Sequence, residues 1–73
     1  MKAPTLHRMD EVALLRDIPD KSLRYGDVGV VVKIQQGDAY DVEFVGDSGQ
    51  NVVLENCPEE ALVLVRHQIV VGQ

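Results

Sequence analysis

The segment Ala39 to Val45 (AYDVEFV) constrains this chain more than any other. It alternates apolar and acidic residues and is closed at each end by a tight turn, Gln36-Gly37-Asp38 before it and Gly46-Asp47-Ser48-Gly49 after it. A period of two is the pattern of a half-buried strand, so Tyr40, Val42 and Phe44 are expected inside and Asp41 and Glu43 in water. A strand between two short turns pairs antiparallel with the segments on either side. Two consecutive antiparallel hairpins are therefore expected.

The remaining elements follow the same grammar. Glu11 to Arg16 reads as a first strand, and Asp17 to Gly26 as a long irregular loop in which Pro19 removes a backbone donor and Asp20, Ser22 and Gly26 favour turns. Asp27 to Gln35 (DVGVVVKIQ) is the most β-branched stretch, with Val28, Val30, Val32 and Ile34 expected on one face. Gly29 within it predicts a bulge or a close backbone approach. Asn51 to Glu55 is a fourth strand, Pro58 to Ala61 a single helical turn, and Leu62 to Arg66 a fifth strand.

Five short strands with one helical turn before the last give an all-β fold, expected to be a small SH3-like five-stranded barrel. An open meander is the alternative. Closure suits 73 residues, because a chain of this size buries only about 60% of its unfolded surface and tolerates exposed edges badly. The expected interior is Val12, Leu14, Val28, Val30, Val32, Tyr40, Val42, Phe44, Val52, Leu54, Leu62 and Leu64. Residues 1–9 read as a loosely held N-terminal arm, 10–66 as the barrel, and 67–73 as a C-terminal tail, a candidate strand in an oligomer interface.

Charge is distributed unevenly. Between Gly26 and Val65 stand eight acids and one base, Lys33, a net −7 for that stretch against −5 for the whole chain. Nucleic-acid binding needs clustered Lys and Arg, and this field is the opposite; a solvated acidic face, or one that steers a basic protein partner, is expected instead. The apolar run Ala61 to Val65 is far too short for a membrane span, and no basic segment leads into an apolar one at the start, so the expected location is cytoplasmic.

The run Asp17-Ile18-Pro19, then Leu23, then Gly26-Asp27-Val28-Gly29-Val30-Val31, then Ala39 to Val45 resembles a family of short bacterial proteins catalogued as domain of unknown function 4926. The resemblance spans about residues 9–66. Val30 departs from a common Thr, Asp41 from a common Glu, and the tail beyond Arg66 is longer than expected. What it implies is a small SH3-like β domain, with no activity and no catalytic residue to carry over. Genes of the family sit beside small genes that include suspected toxins, which points to a protein partner. The glycine and valine rhythm of Gly26 to Ile34 also resembles KOW-type SH3-like domains of ribosomal and elongation proteins. Acids stand here where RNA-binding members carry bases.

The residues offer little chemistry. Cys57, the only thiol, precedes the helical turn, where a lowered pKa would make a nucleophile; but His7 and His67 lie in the terminal segments, and a small hydrophobe is the expected role. Asp41 and Glu43, about 7 Å apart on one strand, are expected in water rather than in acid–base catalysis. His7 and His67 with nearby acids offer ligand types for a divalent ion, but no HxxxH or CxxC spacing is present, so no metal site is expected; no phosphate cradle or cofactor motif is found either, and no cofactor is expected. With no Trp and with Tyr40 and Phe44 internal, Tyr25 alone cannot form a proline-peptide groove.

Surplus apolar residues remain. Val31, Val53, Val63 and Val65 are expected to face outward, and Ile69, Val70 and Val71 follow the last strand. Together with Tyr25 they form the expected partner interface. The expectation is a non-enzymatic acidic protein–protein interaction module, self-associating or partner-binding, with an antitoxin-like neutraliser of a neighbouring protein as its most specific form. The alternatives are a nucleic-acid or ribosome-associated KOW-like domain and a small-ligand-binding protein.

Overall fold

The computed structural model describes residues 6–46 and 49–67. Five antiparallel strands form one sheet: β1 (Glu11–Leu14), β2 (Val28–Gln35), β3 (Ala39–Val45), β4 (Asn51–Pro58) and β5 (Leu62–Arg66). The order across the sheet is β4-β3-β2-β1-β5, so β1 joins the meander to the last strand. The architecture is all-β, as expected. Closure is looser than a hydrogen-bonded barrel, because β4 and β5 end the sheet and do not pair with each other. Short 3-10 turns at Pro19–Lys21 and Glu59–Ala61 are the helical elements among the described residues, the second standing before β5 as expected. Among the described residues no helix is long and apolar enough to cross a membrane.

The inner face of β3 is as the alternation predicts, with Tyr40, Val42 and Phe44 fully buried. Val12 and Leu14 of β1 and Leu62 of β5 join them, and Val52 and Leu54 of β4 pack against this core while partly exposed.

β2 is in the opposite phase to the one predicted. Val31 has no exposed surface, whereas Val28 is 52% exposed and Val30 and Val32 lie at intermediate depth. Gly29 explains the inversion. It sits opposite Phe44, and a Cβ there would lie 2.7 Å from the Phe44 ring and 2.8 Å from the Glu43 carbonyl oxygen. Only the absence of a side chain lets that ring seat against β2, and Gly29 and Val31 then face inward. The pairing jumps from Val31↔Val42 to Lys33↔Asp41, which leaves Val32 as the extra residue of a bulge and brings Ile34 opposite Tyr40. The expected close approach at Gly29 is therefore present, and the bulge lies three residues later. Leu64, also expected inside, is 37% exposed because β5 is a sheet edge.

Two residues outside the strands complete the core. Leu6 is buried, and its N–H donates to the Tyr40 hydroxyl at 3.4 Å. The Met9 N–H donates to the Val31 carbonyl at 2.7 Å, so the arm is docked from Leu6 onward rather than loosely held. Leu23 is buried from the long loop, whose Ile18 and Leu23 form a bridge across the 3-10 turn.

Candidate functional site

The feature of the described surface that best combines shape and charge lies beside β5. A depression of about 510 Å³ is lined by Asp38, Glu59 and Glu60 and by Leu6, Leu62, Val63 and Leu64. Asp38 belongs to the β2–β3 turn, and its carbonyl accepts from the Glu59 N–H at 2.9 Å, which ties that turn to the 3-10 turn before β5. Three acids thus ring an apolar floor, with no Lys or Arg in the lining among the described residues. Val63 and Leu64 are 46% and 37% exposed.

The predicted interface residues are dispersed by the fold. Tyr25 is exposed on the loop before β2. Val53 is exposed on β4, and Val63 and Val65 on β5, so they occupy opposite ends of the sheet order. Val31 is in the core and contributes no surface, the consequence of the Gly29–Phe44 contact. Ile69, Val70 and Val71 lie outside the described residues. On the outer face of the sheet, Val28 and Val45 are exposed in place of Val31.

Asp41 is buried, not solvated. Between Tyr40↔Cys57 and Val42↔Leu54, β4 carries one residue more than β3, and Asn56 in this bulge takes φ 55°. The Asp41 carboxylate accepts from the Asn56 N–H at 2.9 Å and from the Gln35 side-chain amide at 3.0 Å. It is a backbone latch, and hydrolysis by an Asp41–Glu43 pair has no geometric basis. Cys57, near the end of β4, is also buried, and desolvation pushes its thiol pKa up while the positive charge of Arg16 opposes the rise only in part. A buried thiol with a raised pKa is a poor nucleophile, which agrees with the role of a small hydrophobe.

His7 and His67 come together, although the sequence places them in opposite terminal segments. Both approach the buried carboxylate of Asp10: Nδ1 of His67 is 3.1 Å from Oδ2 and Nδ1 of His7 is 3.8 Å from the same oxygen. The imidazole rings lie 6.2 Å apart at 59°. No spacing motif announces this arrangement; it depends on β1 pairing with β5, which brings Glu11 opposite Arg66 and so sets Asp10 near His67.

Comparison with curated proteins and with solved structures finds no match. A family model matches residues 8–64, covering the strands from β1 to Leu64 of β5 and with them most of the chain. The chain belongs to the family described as Domain of unknown function (DUF4926).

Proposed function

We propose that this protein is a non-enzymatic protein-interaction module whose contact surface is the acidic depression beside β5, and that its partner presents a basic side chain flanked by apolar residues. The observation that carries this reading is the convergence of Asp38, Glu59 and Glu60 around Leu62, Val63 and Leu64. An apolar floor supplies area and three acids supply attraction and orientation, the usual division of labour in a protein interface. The −7 stretch from Gly26 to Val65 extends the same field and speeds encounter with a cationic partner. It also opposes the KOW-like alternative, since phosphate would meet acids here. The antitoxin-like form of the reading corresponds to a basic partner encoded beside this protein.

The test is a comparison of two baits in nuclease-treated host lysate at moderate salt. The wild-type chain is expected to retain one near-stoichiometric basic protein, and a Glu60→Lys/Val63→Lys variant with unchanged circular dichroism is expected to lose it. Retention by the variant, or no retained protein with either bait, overturns the assignment. A second reading is favoured by the outer edge of β5, which has no strand partner among the described residues: self-association by strand pairing along that edge.

A further inference from the structure

We propose that His7, Asp10 and His67 form a binding site for a divalent transition-metal cation of the zinc class. One ligand atom from each residue lies within 4.8 Å of the other two. Donors around a tetrahedral zinc, at about 2.0–2.2 Å from the ion, stand about 3.3 Å from each other. The His67–Asp10 edge is already 3.1 Å, and the His7–Asp10 edge at 3.8 Å needs only a small rotation of one ring. The side chains of both histidines are more than half exposed, so they have the freedom to make that approach.

The carboxylate supplies the fixed point. Its side chain is only 3% exposed, and the His7 N–H donates to Oδ2 at 2.9 Å. The Asp10 N–H donates back to the His7 carbonyl at 3.1 Å, and the Asp10 carbonyl accepts from the Val31 N–H at 3.0 Å. The turn 7–10 is therefore bonded to itself and to β2, and it delivers one ligand rigidly. A hydrogen bond from His67 alone explains one imidazole at this oxygen. Two imidazole nitrogens from opposite ends of the chain stand 3.1 and 3.8 Å from one carboxylate oxygen, an arrangement that a shared cation would hold together.

Two imidazoles and one carboxylate suit Zn²⁺ and its first-row neighbours, with water completing the coordination on the exposed side. The bound ion would join the turn before β1 to the residue after β5, reinforcing the β1–β5 pairing. Because the ligands converge only in the folded state, binding stabilises that state.

The experiment uses the full-length chain with no affinity tag, titrated with ZnCl₂ by calorimetry and followed by thermal unfolding. One site per chain is expected, with a rise in Tm of about 11–22 °C at hundredfold excess over Kd. His7→Ala and His67→Ala are each expected to weaken binding at least about tenfold, while Cys57→Ser leaves it unchanged. With Co²⁺ as probe, visible d–d bands without a thiolate charge-transfer band are expected. Absence of binding, binding that survives both histidine variants, or a thiolate band lost in Cys57→Ser overturns the assignment. Both histidines lie outside the β5 depression, so failure of this site leaves the partner assay unaffected and the two proposals fail separately.

Discussion

The carboxylate of Asp41 holds the Asn56 N–H and the Gln35 side-chain amide at 2.9 and 3.0 Å, so truncating it strands donors in a partly buried place. Asp41→Ala is expected to lower stability by about 1–3 kcal/mol, measured from denaturant midpoints at constant slope. A change below about 0.5 kcal/mol would mean that the bulge holds itself. Cys57 behaves differently because its burial favours the neutral thiol. With the folded pKa raised, the stability the thiol contributes is fully present below the unfolded thiol pKa and is lost as pH rises through the folded one. Alkylation of Cys57 at neutral pH is accordingly expected to be much slower in the native chain than in urea. Equal rates would show an accessible thiolate.

At the scale of elements, strand identity was legible, and strand phase was legible in β3 but not in β2. β3 and β5 span the residues that alternation and turn residues predict, because each is bounded by hard punctuation. β2 offers a valine on both faces, so periodicity alone cannot choose the buried one. The choice is made across the strand gap, where Gly29 accommodates Phe44, and it is altered again by the bulge at Val32. The Asp41 misreading has a similar origin: a strict two-residue period places it outside, but the extra residue in β4 presents a backbone N–H that needs an acceptor. A direct contrast tests the phase. Val31→Lys buries a charge in the core and is expected to abolish cooperative unfolding, while Val28→Lys is expected to leave the midpoint nearly unchanged. The reverse outcome would restore the even-numbered face to the interior.

At the scale of the molecule, long-range pairing decides what sequence spacing cannot show. Nothing local to His7 or His67 signals the other, since their approach requires β1 to pair with a strand about fifty residues away, and the β5 depression likewise assembles from the arm, a hairpin turn and the last strand. The same topology leaves β4 and β5 as sheet ends, and exposed edges invite pairing with another chain. Hydrogen exchange separates this edge from the depression. In dilute solution the amides of β2 and β3, paired on both sides, are expected to exchange most slowly, and the outward-directed amides of β5 to exchange fast. If copies pair along β5, those fast amides slow as concentration rises, and Val65→Lys on that strand reverses the effect. If they stay fast at every concentration, self-pairing is excluded as the role of this edge. The acidic depression then remains the proposed contact surface, because its side chains reach a partner without recruiting the backbone of β5.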